Sequence, residues 1–181
     1  MRAVKSQSVF RRLIAGLCQA AGIISAAMLV SMVSLILIQI TGRIVGFRFL
    51  DAGELSGYLL AAMSFLALAY TFREGGHIRV NVLIANLAGK RRWVVEVLCL
   101  LVAIAITAFF SWSSVILTLE SYQFGARSTG LMAIELWIPQ LGMAIGSVLL
   151  SLTLLEGLID VLRGDMPAYQ RAELSNISTA E

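Results

Sequence analysis

The chain is poor in the residues from which protein active sites are built. Its 181 residues include one histidine, two cysteines and two prolines, and only 14% of them are charged. A single imidazole cannot supply both ligands of a bis-histidine haem, and no Cys/His cluster supports a zinc site. The chain also lacks the GxxxxGK[ST] motif of a nucleotide-binding loop. We therefore predict that it is not an enzyme and that it has no catalytic residue, cofactor, metal site or nucleic-acid partner.

Charge is missing above all from four long stretches. The runs 13–42, 55–72, 97–119 and 136–155 contain no Asp, Glu, Lys or Arg. A bilayer core about 30 Å thick is crossed by roughly 20 helical residues, so each run is close to the length of one span. Backbone groups in lipid must be satisfied within their own segment, which requires a helix. The sequence predicts an all-α membrane protein with four transmembrane helices, at about 12–41, 52–72, 93–120 and 136–162.

The basic residues predict the orientation of these helices. Of 14 lysines and arginines, 11 lie in the N-terminal tail, the connection between helices 2 and 3, and the C-terminal tail. Because basic residues beside a span resist translocation, we predict that these three segments are cytoplasmic. With four spans in 181 residues, we expect one membrane domain over residues 1–165 and a polar C-terminal tail over 166–181.

The connection between helices 2 and 3 is long enough to hold a further element. Apolar and polar residues recur at helical spacing over about 77–88, which predicts an amphipathic helix lying in the membrane interface. Arg91 and Arg92 follow it, where they can meet anionic headgroups, and Trp93 is a typical interfacial aromatic. A solvated loop is the alternative for this segment.

The predicted cores of the spans contain no ionisable residue. Several glutamates lie at helix ends, where we expect water or headgroups to reach them: Glu54, Glu96, Glu120, Glu135 and Glu156. A path for an ion or a polar solute needs convergent polar groups near the bilayer midplane. The spans offer only hydroxyl residues such as Ser64, Thr107 and Ser147, which we expect to hydrogen-bond to their own helices. The chain is therefore not expected to transport a solute alone.

Small residues in helices 2 and 4 predict close helix packing. Gly53, Gly57 and Ala61 are spaced four apart, and Gly142 and Gly146 form a GxxxG motif. Small residues at this spacing let helix backbones approach each other. Packing inside the four-helix bundle and contact with a partner chain are both compatible with the pattern.

Arg43 and Glu54 form a possible pair at the outer membrane surface. Arg43 ends helix 1, and Glu54 opens helix 2. A snorkelling arginine and an acid favoured by the helix dipole would explain both residues separately. A salt bridge between them, or to a partner, is the alternative.

The order of several residues is similar to that of one family. Arg43 follows helix 1, Glu54 opens helix 2, and residues 73–81 have the sequence REGGHIRVN. The sequence WIP at 137–139, with Gly142 after it, opens helix 4. Over most of its length the chain resembles the small membrane subunit, of the DctQ type, of tripartite ATP-independent periplasmic (TRAP) transporters.

The resemblance implies a function that depends on partners. Family members pair with a much larger membrane subunit, which carries the substrate and sodium sites and moves as an elevator. A periplasmic binding protein delivers the solute, often an organic acid. The small subunit braces the static scaffold of the large one in the bacterial inner membrane. By this resemblance the chain is a small non-catalytic subunit of a sodium-coupled uptake system.

The candidate residues for contact with a partner or with lipid are Arg43, Glu54, His77, Arg79, Asn81, Arg91, Arg92, Trp93, Gly142 and Gly146. The family usually has Asp where this chain has Asn81, so no role that needs a negative charge is expected there. Two other classes of function are compatible with a four-span protein. One is a membrane anchor for a redox or other enzyme complex, and the other is a homo-oligomeric exporter, which would need an acidic residue deep in a span.

Overall fold

The structure, a computed structural model, describes residues 9–46, 52–75, 90–130 and 132–172. Its helices are α1 (Val9–Val45), α2 (Ala52–Arg73), α3 (Lys90–Gln123) and α4 (Trp137–Arg163). All four are long and apolar enough to cross a membrane. The prediction of an all-α protein with four membrane-spanning helices is confirmed. The predicted interfacial helix at 77–88 lies outside the described residues.

α4 ends at a glycine that the local geometry requires. Gly164 has a φ of +70°, a left-handed conformation that residues with a side chain rarely adopt. Its N–H donates to the carbonyl of Val161 at 3.1 Å, and the N–H of Asp165 donates to the carbonyl of Asp160 at 3.0 Å. These bonds satisfy carbonyls that the helix end would leave unpaired, and they turn the chain out of the helix axis.

α4 is the central helix of the bundle. It packs along both α2 and α3, whereas α1 packs mainly on α2. The side-by-side order of the helices is therefore α1, α2, α4, α3, and α4 is the most buried of the four.

Two glycines allow α4 to approach α2. A Cβ on Gly142 would lie 2.5 Å from the Cβ of Ala62, and a Cβ on Gly146 would overlap the backbone of Phe65. Gly57, by contrast, faces open space. The structure thus places the GxxxG motif of α4 against another helix of the same chain, which is the first of the two alternatives left open by the sequence.

α3 carries a row of buried hydroxyl residues at intervals of three and four: Ser111, Ser114, Thr118 and Ser121. The Oγ atoms of Ser111 and Ser151 are 3.0 Å apart, which joins this row to α4. Small side chains here permit close packing, and the hydroxyls of Ser111 and Thr118 donate to carbonyls of the preceding turn. The predicted bonds of Ser64, Thr107 and Ser147 to their own helices are confirmed, at 2.7, 2.8 and 3.0 Å.

The outward faces of the two flanking helices are apolar. On α1, Ile23 and Val30 are 67% and 66% exposed, and on α3, Ile106 and Phe109 are 64% and 74% exposed. Contiguous apolar surface of this extent is unfavourable in water. The chain is a multi-pass membrane protein, and its outer surface requires lipid or another apolar partner.

Candidate functional site

Charged residues from separate elements converge where α1 begins and α4 ends. We call this the charged end of the bundle, and the other the opposite end. The charged cluster consists of Arg11 from α1, Arg73 from α2, Glu156 and Asp160 from α4, and Arg171 from the residues after α4. The two acids are four residues apart, so they lie on one face of α4.

Asp160 is the most deeply buried member of the charged cluster. Its side chain has 0% exposure. Nη2 of Arg11 donates a hydrogen bond to Oδ1 of Asp160, and Nη2 of Arg171 lies 3.6 Å from Oδ2. A buried carboxylate is tolerated when a cation compensates it, and here two guanidinium groups lie against one carboxylate.

Arg73 and Glu156 join the end of α2 to α4. Nη1 of Arg73 donates to Oε2 of Glu156 at 2.8 Å, and the Glu156 side chain is only 6% exposed. Glu156 is therefore almost fully covered, although the sequence predicted a glutamate exposed to water or headgroups. The reason is that α1 and α2 place their terminal arginines over this face of α4, so guanidinium groups take the position of solvent.

Buried ion pairs of this kind add little net stability but are costly to break. Their mutual attraction roughly balances the cost of removing both charges from water, but losing one partner costs about 3–5 kcal/mol. The charged cluster therefore penalises any arrangement in which α1 or α2 turns a different face to α4.

The residues after α4 fold back over the charged end. We call residues 164–172 the C-terminal segment. The ring centroid of Tyr169 lies 5.3 Å from that of Phe72 on α2. The Tyr169 hydroxyl and Nε2 of Gln170 each donate to Oε1 of Glu96 on α3, both at 2.7 Å. The C-terminal segment thus connects α2 and α3, both of which pack against α4.

Tyr169 is held in its protonated form. Burial raises the pKa of its hydroxyl well above the usual value, and the hydrogen bond to Glu96 and the charge of Glu96 raise it further. The hydroxyl therefore remains a donor to Glu96 across the neutral pH range.

An open cavity of about 340 Å³ lies at the charged end, between the helix ends and the C-terminal segment. It is lined by Arg11, Arg73, Glu74, Glu156, Ala168, Arg171 and Ala172. Three guanidinium groups and two carboxylates thus face one space.

At the opposite end, Glu54 contacts α2 itself and the loop between α3 and α4. Its Oε1 accepts a hydrogen bond from the Tyr58 hydroxyl at 3.1 Å. Its carboxylate lies so close to Gly130 that a Cβ there would overlap it. Arg43 is exposed at the end of α1, and among the residues that the structure describes it forms no salt bridge with Glu54.

A comparison with protein families bears directly on this architecture. Residues 32–164, well over half of the chain, match the model of the DctQ component of the tripartite ATP-independent periplasmic transporters. The chain belongs to this family. The resemblance drawn from the sequence is confirmed, and a DctQ component is part of a transporter, not an enzyme. The comparisons with curated proteins and with solved structures gave no match.

The remaining contact candidates in this DctQ-family chain lie at the charged end or outside the described residues. Arg91 and Arg92 are exposed in the first turn of α3. Trp93 is 47% exposed, and its Nε1 donates to the carbonyl of Val161 at 3.3 Å, so it holds α3 to α4 while presenting part of its ring outward. The residues outside the described part are His77, Arg79 and Asn81.

The sequence reasoning missed the charged cluster as a unit. The sequence feature that could have indicated this cluster is the pair Glu156 and Asp160, which lie four residues apart near the end of an otherwise apolar span. Charges at a helix end are usually solvated, so the spacing alone did not distinguish a buried pair from an exposed one. Arg171 and Tyr169 gave no signal, because nothing in a polar tail indicates that it folds back.

Proposed function

We propose that this chain is the small, non-catalytic membrane subunit of a tripartite, sodium-coupled secondary transporter that takes up organic acids. In this proposal it braces the scaffold of a large membrane transport subunit, and a periplasmic binding protein supplies the solute. The observation that carries the proposal is the family match over residues 32–164. Membership of a tripartite transporter family implies two further components, a large membrane subunit and a binding protein.

The position of buried charge supports a structural role. In the described part of the chain, the buried charged residues are Glu156 and Asp160. Both lie at the charged end and both are paired with arginines. A solute path would need polar groups that converge in the middle of the spans. The buried hydroxyls of Ser111 and Thr118 are instead bonded within the bundle, to carbonyls of α3 and, for Ser111, also to the Ser151 hydroxyl of α4.

The connections at the charged end support bracing. Ion pairs hold α1, α2 and the C-terminal segment to α4, and Glu96 holds the C-terminal segment to α3. All four helices are thereby tied at one level. A bundle fixed in this way suits a subunit that stays static while another subunit moves, and the apolar faces of α1 and α3 are available to lipid and to the large subunit.

The distribution of basic residues supports an orientation in the bacterial inner membrane with the charged end in the cytoplasm. At this end α1 and α3 begin and α2 and α4 end, and the sequence next to these helix ends carries most of the lysines and arginines. Arg91, Arg92 and Trp93 then lie at the level of the cytoplasmic headgroups.

Reconstitution into vesicles tests the proposal. The chain, its large membrane partner and the binding protein are reconstituted together and in every smaller combination, and uptake of radiolabelled organic acids is measured with and without an inward sodium gradient. We expect uptake only with all three components and the gradient. Uptake by this chain alone, or a haem Soret band in the purified complex, would overturn the proposal, and the latter would favour a redox-complex anchor.

A further inference from the structure

The cavity at the charged end has the size of a small-ligand site and a lining rich in charged side chains. Its volume of about 340 Å³ falls in the range of ligand pockets, about 300–1,000 Å³. Its charged side chains come from elements that are far apart in sequence. We infer that this cavity binds the phosphate group of a membrane lipid headgroup, with Arg171 as its main contact.

The Arg171 guanidinium has positive charge and N–H donors that its contact with Asp160 does not use. Its side chain is 44% exposed, and its guanidinium lies 3.6 Å from Oδ2 of Asp160 while Arg11 already bonds to Oδ1. One carboxylate compensates one guanidinium, so the second keeps its charge available to another anion. The planar guanidinium group matches the spacing of two phosphate oxygens and forms charge-assisted hydrogen bonds with them.

The other lining residues complete the site and limit its affinity for an anion. Arg73 contributes a second guanidinium, of whose five N–H donors one is bonded to Glu156. Ala168 and Ala172 are small and leave room beside Arg171. Glu74 is an exposed carboxylate in the same lining, and it opposes a bound anion. The site is therefore suited to binding a phosphate at moderate affinity. Such an affinity is sufficient for a lipid phosphate, because headgroups are present at high local concentration.

The position of the cavity at the membrane interface favours a lipid phosphate over free phosphate as its ligand. It lies at the ends of membrane-spanning helices, and the exposed ring of Trp93 lies at the same end. Tryptophan at a helix end is typical of the headgroup region. Basic side chains at this level attract anionic lipid. Arg11 and Arg171 lie outside residues 32–164, whereas Arg73, Glu74 and Glu156 lie within them, so the family match covers only part of the site.

Native mass spectrometry of the full-length chain, alone and with its membrane partner, tests the inference. The protein is released from detergent after titration with phosphatidylglycerol, with phosphatidylcholine or with inorganic phosphate. We expect one phosphatidylglycerol to be retained, and we expect the Arg171→Gln variant to weaken its binding about tenfold, the effect of losing one charge-assisted contact. Arg171→Lys should recover part of the affinity, and Glu74→Gln should increase it.

Arg163→Gln is the matched control, because Arg163 is exposed at the same end but does not line the cavity. It should bind phosphatidylglycerol as the parent chain does. Equal binding by the parent and Arg171→Gln would overturn the inference, as would an equal loss in both arginine variants. Retention of inorganic phosphate at the same concentrations as phosphatidylglycerol would overturn the assignment to lipid. Thermal unfolding of each variant in detergent verifies that a loss of binding is not a loss of fold.

Discussion

Arg73 and Glu156, 83 residues apart in the chain, form a 2.8 Å ion pair between the last turn of α2 and the face of α4 that α1 and α2 cover. One helical turn further along α4, Arg11 binds Asp160 in the same way. The charged end is therefore held by two adjacent ion pairs that come from different helices but meet the same face of α4.

The Arg73–Glu156 pair should show strong coupling in a double-mutant cycle. Arg73→Gln leaves a buried carboxylate without its cation and should lower the free energy of unfolding by about 3 kcal/mol. Glu156→Gln should cost less, because the Arg73 guanidinium can turn toward solvent. The double variant should be more stable than the sum of the single effects predicts, by about 1 kcal/mol or more. Denaturant unfolding in detergent micelles measures all four proteins, and additive effects would contradict a direct pair.

Asp160 should be the most sensitive acidic residue of the described bundle. Asp160→Asn removes the charge that both Arg11 and Arg171 face, and we expect a loss of about 3 kcal/mol of unfolding free energy. Glu120→Gln is the control, because Glu120 is an exposed acid at the opposite end of α3. It should change the unfolding midpoint very little. Equal midpoints for the two variants would show that Asp160 is not held by buried ion pairs.

Alanine at two glycine positions should have opposite effects. In Gly146→Ala the new methyl group meets the backbone of Phe65, so α2 and α4 must separate, at a cost of about 1–3 kcal/mol. In Gly57→Ala the methyl group enters open space, and the better helix propensity of alanine should raise stability by up to about 1 kcal/mol. Thermal unfolding in detergent measures both. Tolerance of Gly146→Ala without a lower midpoint would refute the close contact of α2 with α4.

Because of Tyr169, the free energy of unfolding should depend on pH in the alkaline range. Because burial raises its pKa in the folded chain above the value near 10 that an unfolded tyrosine has, the unfolded chain loses the proton first as pH rises. The stabilisation from this residue is therefore complete below about pH 10 and decreases above it. Tyr169→Phe cannot titrate, so the stability difference between the parent and this variant should shrink between pH 9 and 11. A difference that stays constant over that range would contradict a raised pKa.

The sequence predicted the helices well because charge is excluded from lipid whatever the fold. The uncharged runs mark the spans directly, and the glycines of the GxxxG motif indicated a close contact of α4. The family resemblance rested on short motifs that occur in a particular order along the chain, so it did not depend on how the helices pack.

The helix order and the charged cluster could not be predicted in the same way. In a membrane the lipid-facing and protein-facing sides of a helix are both apolar, so Ile23 and Leu66 look alike in sequence although one is 67% exposed and the other 6%. Asp160 and Arg11 become partners only through the packing of α1 and α4. No local sequence pattern in either helix indicates that the other residue will lie beside it.

The most direct test of the whole account is the identity of the stable partner. The tagged chain is extracted from its native membrane in a mild detergent, and the complex is purified by size and analysed by quantitative mass spectrometry. The account predicts a complex in constant ratio with one much larger multi-span membrane protein, and no haem or soluble catalytic subunit. A chain that elutes alone, or with a soluble enzyme as its constant partner, would contradict it.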